Sequence, residues 1–144
     1  MSAALQLRSH EPRPLIVKLY NTDYALDPYG DRLISQGYDV MNASTYADAL
    51  KLVRQYAPAL ILVYDDPEAN VDAIRWLQLQ HEDRVARLAM IPLLILADAE
   101  RIPTLRFEEI ADRVVILQRR ADTLNQLTRT VRRLLHVWGL DELS

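Results

Sequence analysis

The stretch PALILVYDD, residues 58–66, decides the fold class of this chain. Its centre, ALILVY, is continuously apolar and follows Pro58, which is typical of a short strand buried on both faces of a parallel sheet. Such a strand needs helices on both of its faces. Asp65 and Asp66 follow at its carboxyl end, where sheets of this kind carry their functional residues. The stretch therefore predicts an α/β fold with a candidate site just after this strand.

Apolar runs of strand length and helical patterns alternate on both sides of this segment. The other expected strands are LIVKLY (15–20), YDVMNA (38–43), IPLLILA (91–97) and RVVIL (113–117). The expected helices cover about 27–36, 45–56, 70–83, 104–110 and 122–138. This alternation predicts parallel β-α units in a doubly wound sheet. We expect a leader over 1–13, one domain over 14–138, and a tail or the start of a linker over 139–144.

Several helix ends and inward faces are also predicted. The expected N-caps are Ser44, Asn70 and Asp122, and Gly37 is the expected C-terminal cap of the first helix. The apolar face of the second helix is expected to contain Ala49, Leu50, Val53 and Tyr56. In the third helix we expect Ile74, Leu77 and His81 to point inward.

Composition limits the class of protein. The 144 residues carry a formal net charge of -3, which argues against a protein that coats nucleic acid or an anionic membrane. There is no cysteine, and His10, His81 and His136 are too far apart in sequence to suggest a metal site. We find no signal-peptide pattern and no apolar run near the ~20 residues of a membrane helix. The expectation is a soluble, cytoplasmic domain that does not bind a membrane.

Residues 37–66, GYDVMNASTYADALKLVRQYAPALILVYDD, resemble without a gap the second strand, second helix and third strand of a response-regulator receiver domain of the CheY-like type. IPLLILADA (91–99) resembles the family's fourth strand, and ADRVVILQRRADTLNQL (111–127) its fifth strand and the entry to its last helix. The resemblance covers about residues 14–136. It implies an open five-stranded parallel sheet of flavodoxin-like order 2-1-3-4-5 and a role in two-component, phosphorelay-type signalling.

A working receiver resembles a small phosphotransfer enzyme acting on itself. Acidic residues after its first and third strands hold magnesium, an aspartate accepts the phosphoryl group, and a hydroxyl and a lysine complete the site. The matching positions in this chain are Tyr20 and Asn21 for the acidic pair, Tyr64 for the acceptor, Ala97 for the hydroxyl and Leu117 for the lysine. The resemblance therefore implies a degenerate pseudo-receiver that holds no magnesium, is not an enzyme and acts through protein-protein interaction.

An alternative keeps the activity. If a bulge displaced the end of the third strand by one residue, Asp65 would become the phosphoacceptor, and Asp23 would help to hold magnesium. The competing interpretation is that Asp65 and Asp66 only lead into a loop, since a slip of one residue turns every side chain of a strand to its other face. The site is expected to be lost rather than displaced.

Lys18 is an unusual residue for a central strand. One interpretation is a built-in cation that reaches toward Asp65 or Asp23 and replaces the metal. The other is a lysine whose ammonium extends past a helix to water, and this second interpretation is preferred.

The last part of the chain contains a candidate interface. Arginines make it basic, which suggests either a nucleic-acid site or, as preferred here, a solvated helix face. These arginines are Arg119, Arg120, Arg129, Arg132 and Arg133. In receivers the fourth helix, fifth strand and fifth helix bind kinases or effectors and form homodimers, so we expect partners on that face. Phe107 and Trp138 are the large apolar residues expected there, either exposed as contact residues or packed inward.

Overall fold

The computed structural model describes residues 13–21, 27–120 and 122–137. It contains one five-stranded sheet whose strands run parallel in the order β2-β1-β3-β4-β5. The strands are β1 (Leu15–Leu19), β2 (Asp39–Ala43), β3 (Leu60–Tyr64), β4 (Leu93–Ala97) and β5 (Val114–Gln118). The expected fold class and strand order are therefore confirmed. Most of the expected leader and the whole expected tail lie outside the described residues.

The alternation of side chains along each strand builds two apolar cores, one on each face of the sheet. Every residue of β3 is buried, as its continuous apolar sequence predicts. Val63 and its neighbours pack below α2 (Tyr46–Tyr56) and α3 (Ala73–Glu82), whereas Leu62 packs below α1 (Pro28–Ser35) and α5 (Thr123–Val137). Burial on both faces fixes the register, because a one-residue slip would exchange the two sets of side chains.

The helices on either side of β2 begin close to their predicted positions. Asp27 is the N-cap of α1 and its Oδ1 accepts the N–H of Gly30 at 3.0 Å. For α2 the expected cap was wrong by one residue, because Thr45 rather than Ser44 accepts the N–H of Asp48. Tyr56 is 47 % exposed, so it does not share the inward face. It lies in the last turn, where α2 ends at the left-handed Ala57.

The start of α3 differs more from the prediction. Asn70 does not cap this helix: it has a φ of 63° and ends a short 3-10 turn over Pro67–Ala69. Asp72 is the N-cap, and its carboxylate accepts the N–H of Ile74. Ile74 and Leu77 are partly buried and pack against the core, as predicted, whereas His81 is exposed and its predicted inward position is wrong. The buried residues of α3 are Ala73, Trp76 and Gln80, which the prediction did not name.

The fourth helix is short, as its weak pattern predicts, but it lies earlier than expected. α4 covers Ile102–Leu105, with Pro103 in the first turn where proline is tolerated, and Arg106–Glu108 forms a 3-10 turn. The last helix begins at Thr123, directly after the expected cap Asp122. Its buried apolar residues are Leu127, Val131, Leu134 and Leu135. No described helix is long and apolar enough to span a bilayer.

Candidate functional site

The carboxyl ends of the strands meet at one edge of the sheet, and the candidate residues lie there. Because side chains alternate along a strand, Tyr64 points to the face covered by α1 and α5, and Asp65 points to the opposite face. β3 pairs residue for residue with β4 up to Tyr64 and Leu96, and the N–H of Asp65 continues the ladder to the Leu96 carbonyl at 2.8 Å. The end of β3 is therefore regular and has no bulge.

Three tyrosines fill the space beside the end of β3. The ring of Tyr20 stacks on that of Tyr64, with centroids 4.0 Å apart and planes 22° apart. The ring of Tyr29, from α1, meets Tyr64 edge-on at 5.9 Å. Tyr64 is 2 % exposed. Stacked and edge-on rings of this kind make a compact apolar cover where the resemblance placed an acidic pocket.

A buried ion pair lies below these rings. The ammonium of Lys18 forms a salt bridge with Asp27, and the two side chains are 14 % and 9 % exposed. The phenol of Tyr64 donates to Asp27 Oδ1 at 2.6 Å, on the same oxygen that accepts the N–H of Gly30. Lys18 Nζ also lies 5.6 Å and 5.9 Å from the ring centroids of Tyr20 and Tyr64. Lys18 thus reaches neither Asp65 nor open water, since its partner is the carboxylate that caps α1.

The ion pair requires glycine at position 30. A Cβ atom built on Gly30 would overlap Asp27 Oδ2 and lie 2.9 Å from Lys18 Nζ. Gly30 is therefore explained by the close approach of two side chains to the helix backbone.

The pKa values of the site follow from this burial. Burial alone would raise the pKa of Asp27, but the bonds from Lys18, Tyr64 and Gly30 outweigh it and lower the pKa below its usual value. Burial, followed by the hydrogen bond to Asp27, raises the pKa of Tyr64 far above its usual value. At neutral pH the pair is therefore a carboxylate and a protonated phenol, and the phenol is a poor nucleophile.

Asp65 lies on the other face of the sheet and has its own cation. Its side chain is fully buried, and Arg101 donates to its two oxygens at 2.8 Å and 3.1 Å. The N–H of Ala73, at the start of α3, donates to Asp65 Oδ1 at 2.8 Å. Arg101 also contacts Asp72 at 3.0 Å, and its hydrogen bond with Asp65 raises the pKa of the guanidinium. Asp65 thus anchors the segment after β4 to the start of α3.

The other predicted site residues are placed as follows. Asn21 donates to the carbonyl of Ala69 at 2.6 Å, so its amide joins the loops after β1 and β3. Ala97 and Leu117 are buried in the cores on opposite faces of the sheet. Arg119 donates to the carbonyl of Asp65 at 2.9 Å and pairs with Asp98. The candidate ligand Asp23 lies outside the described residues.

The donor set at this edge does not suit magnesium. Mg²⁺ prefers carboxylate and water oxygens in octahedral geometry. The residues that surround the expected position are tyrosine rings, and the carboxylate of Asp27 already accepts from an ammonium, a phenol and a backbone N–H. Among the described residues no group of three or more acidic or histidine side chains converges to hold a metal ion.

The candidate interface residues are not gathered into one cluster. Phe107 is 89 % exposed, so the inward alternative is wrong for this residue. Arg120 and Arg133 are exposed and lie near Asp122 and Asp112, at 3.4 Å and 3.9 Å. Arg129 and Arg132 are exposed on α5. Trp138 lies outside the described residues.

Sequence reasoning did not single out Asp27, Gly30 or Arg101 as site residues. The Asp-Pro pair at 27–28 is a helix-start signal, and the helix was predicted to begin near 27, but neither the cap nor a counter-ion for Lys18 was predicted there. Arg101 lies in a segment without periodic pattern and reaches Asp65 only through the fold. No local signal in the sequence marks that contact.

Comparison with known proteins found no matching family model and no matching curated protein. Solved structures do match. A sensor protein from Polaromonas sp. JS666 is 19 % identical with a TM-score of 0.69, covering 92 % of this chain and 100 % of the other. The signal receiver domain of a putative LuxO repressor protein from Vibrio parahaemolyticus is 15 % identical, with a TM-score of 0.68 over 92 % and 97 % of the two chains.

The chemotaxis response regulator CheY4 of Vibrio cholerae is 14 % identical with a TM-score of 0.68, covering 86 % of this chain and 100 % of the other. At such low identities the likeness is one of fold. The chain therefore has the fold of response-regulator receiver domains.

Proposed function

We propose that this chain is a receiver-like module of two-component-type signalling that acts through protein-protein interaction and performs no phosphotransfer of its own. The likeness of fold to receiver domains supports the signalling role, and the chemistry at the carboxyl edge of the sheet supports the absence of phosphotransfer. Its partners are signalling proteins, either a kinase or an effector. No magnesium is required for this role.

One observation carries the proposal, namely the salt bridge between Lys18 and Asp27 below the ring of Tyr64. A phosphotransfer site must leave a carboxylate accessible to a donor and must bring cations to the transferred group. Here the buried carboxylate is already neutralised by an internal ammonium, and tyrosine rings fill the approach. The internal cation thus takes the electrostatic place that a metal would have.

The environment of Asp65 also favours this proposal over phosphorylation at that residue. Its carboxylate is fully buried and accepts bonds from Arg101 and from the N–H of Ala73. Attack on a phosphodonor would require an oxygen of this buried carboxylate to give up its bonds to Arg101 or to the N–H of Ala73 and become accessible. We therefore assign Asp65 a structural role.

Intact-mass spectrometry tests the proposal directly. The wild-type protein is incubated with magnesium and acetyl phosphate or phosphoramidate, beside a phosphorylatable receiver domain as the positive control. We expect no added phosphoryl group on this chain while the control gains one. Circular dichroism of the same samples verifies that the protein is folded.

Three variants identify the residue that carries any phosphoryl group that is added. Asp65→Asn and Asp27→Asn keep the shape of each side chain but remove the nucleophilic carboxylate, and Asp65→Ala removes the side chain. An added phosphoryl mass that is lost in the Asp65 variants would make the chain an active receiver that uses Asp65. A mass that is lost only in Asp27→Asn would place the acceptor at Asp27. Either result would overturn the proposal.

A further inference from the structure

The surface formed by α1 and α5 carries arginines that have no close carboxylate partner. The exposed side chains of α5 that the structure describes are three arginines, two amides and a histidine, and none of them is acidic. The arginines are Arg129, Arg132 and Arg133. Because residues three and four apart lie on the same face of a helix, these guanidiniums share one face of α5.

Arg32 of α1 adds a fourth guanidinium to this face. Its Nη1 donates to the side-chain oxygen of Asn125 at 3.1 Å, across the contact between the two helices. Asn125 lies one turn before Arg129 on the exposed face of α5. We call the surface of Arg32, Arg129, Arg132 and Arg133 the α1–α5 arginine surface. It extends about 12 Å along α5, from Asn125 to Arg133.

The fold leaves these charges largely without counter-ions. In the part of the chain that the structure describes, no salt bridge involves Arg32, Arg129 or Arg132. Arg133 approaches Asp112 only to 3.9 Å, whereas arginines in the segments after β4 and β5 have carboxylate partners at 2.8 Å and 3.0 Å. The α1–α5 arginine surface is therefore available to a negatively charged partner.

The positions of the arginines within α5 do not explain their presence. The helix dipole favours cations in the last turn, but the basic residue of that turn is His136. Arg129 lies three and four residues before Arg132 and Arg133, and like charges at these spacings repel each other and weaken a helix. Such a local conflict in a natural sequence is typical of a functional surface.

We propose that the α1–α5 arginine surface binds an acidic segment of a partner protein. A guanidinium pairs with a carboxylate through two parallel hydrogen bonds, which gives the contact a defined geometry. Carboxylates three and four residues apart on one face of a partner helix match the spacing of the arginines on α5. The net charge of -3 on the whole chain repels an acidic segment from other surfaces and directs it to this one.

A nucleic acid is the other polyanion that arginines bind, and the structure favours it less. A protein that binds a duplex through its backbone makes several phosphate contacts, on the order of 6–10, whereas this surface offers four guanidiniums. Acidic side chains also border the surface, since the exposed Asp31 precedes Arg32 in α1 and Asp112 lies beside Arg133. These carboxylates repel a long phosphate backbone, but a short acidic segment contacts only the arginines.

This partner deepens the proposed function and rests on it, since docking on the α1–α5 arginine surface presupposes that the chain is an interaction module. The arginines lie on the outer side of the helices, away from the tyrosines and the ion pair at the carboxyl edge of the sheet. Binding at this surface therefore requires no phosphoryl chemistry.

Fluorescence anisotropy of a labelled peptide with the full chain tests the proposal. The probe is an alanine-based helical peptide whose glutamates lie three and four residues apart on one face. We expect saturable binding that weakens as the salt concentration rises, because salt screens exposed charges. A peptide of the same composition whose glutamates are spread around the helix should bind more weakly.

Variants of the chain locate the contact. At about 0.1 M salt, where charges more than about 10 Å apart are largely screened, the double variant Arg129→Gln, Arg132→Gln should bind the peptide about three- to tenfold more weakly. Arg32→Gln should also weaken binding, although it lies on another helix. The matched control is the double variant Arg75→Gln, Arg84→Gln. It removes the same charge from exposed positions in and shortly after α3, on the opposite face of the sheet, and should leave the affinity unchanged.

Three results would overturn the proposal. The full chain could fail to bind the peptide saturably at any salt concentration. The control double variant could lose as much affinity as the α5 double variant, in which case net charge rather than this surface attracts the peptide. A DNA duplex could bind more tightly than the peptide and lose affinity in the α5 double variant, which would make the partner a nucleic acid. None of these results bears on the phosphorylation test, so the two proposals fail separately.

Discussion

Tyr64 and Asp65 are adjacent at the end of β3, yet they belong to different faces and different partners. Tyr64 donates to Asp27, whose charge is balanced by Lys18, and Asp65 binds Arg101. Each buried carboxylate thus has a cation within the chain. An unpaired charge in the interior is strongly destabilising. Removing one partner of a buried ion pair typically lowers the free energy of unfolding by about 3–5 kcal/mol.

The phenol of Tyr64 makes stability sensitive to alkaline pH. Because burial raises its pKa in the folded state, the folded protein holds the proton more tightly than the unfolded chain does. The stabilisation is fully present below about pH 10, the usual tyrosine value, and is lost as the pH rises above it. Tyr64→Phe should reduce this loss of stability at alkaline pH. At neutral pH the same substitution should lower the free energy of unfolding by about 1 kcal/mol, because the hydrogen bond to Asp27 is removed.

Urea denaturation of the wild type and Tyr64→Phe at neutral pH and above about pH 10 measures both effects. Tyr56→Phe is the control for the removal of an exposed phenol. If the free energy of unfolding falls equally steeply with alkaline pH in the wild type and in Tyr64→Phe, Tyr64 is not the group that causes the loss of stability.

At the scale of the element, α1 combines two roles in its first turn. Asp27 caps the helix through Gly30 and holds Lys18 from the neighbouring strand. Pro28 fixes the first helical position, and the carboxylate lies at the positive end of the helix dipole. The first turn of this short helix therefore holds the Lys18 ammonium in place.

Gly30→Ala tests this arrangement. In an ordinary helix the change stabilises by roughly 0.5–1 kcal/mol, since glycine is the poorer helix former. Here the added Cβ would displace the Asp27 carboxylate and the Lys18 ammonium, so we expect destabilisation of about 1–3 kcal/mol, as for overpacking. Urea denaturation measures the difference.

The matched background is the double variant Lys18→Met, Asp27→Ala, in which the obstructing groups are absent. In that background Gly30→Ala should be neutral or stabilising. The same destabilisation in both backgrounds would mean that the ion pair is not what requires glycine.

At the scale of the whole molecule, two arginines connect the carboxyl edge of the sheet. Arg101, after β4, joins Asp65 at the end of β3 to Asp72 at the cap of α3. Arg119, after β5, reaches the carbonyl of Asp65 and the side chain of Asp98. Salt bridges and hydrogen bonds of these two arginines thus connect the segments that follow β3, β4 and β5.

Arg101→Met tests the contribution of this edge to global stability. The substitution keeps the aliphatic bulk but leaves the fully buried Asp65 without its cation, so we expect a loss of about 2–4 kcal/mol in the free energy of unfolding. Adding Asp65→Asn should recover part of the loss, because the amide oxygen can still accept the N–H of Ala73. A double variant no more stable than Arg101→Met would contradict this account.

The sequence by itself determined the fold class, because apolar strands that alternate with helical segments predict a parallel sheet covered on both faces, and the resemblance to receiver domains implied the strand order. It also predicted that Tyr64 ends β3 and that Asp65 follows it. The helix ends were predicted less accurately. Ser44 and Asn70 were the expected N-caps, whereas Thr45 and Asp72 are the observed ones, because serine, threonine, asparagine and aspartate have similar capping ability.

Only the tertiary structure decided the partners of the buried charges. Lys18 and Asp27 are nine residues apart in the sequence, and Asp65 and Arg101 are 36 residues apart. The local sequence around these residues gives no indication of either contact. The pleat of β3 directs Tyr64 and Asp65 to opposite faces of the sheet, and the fold then brings Tyr64 to Asp27 and Asp65 to Arg101. Hydrophobic pattern is a local property and can be predicted locally, whereas charge pairing depends on distances that exist only after the chain has folded.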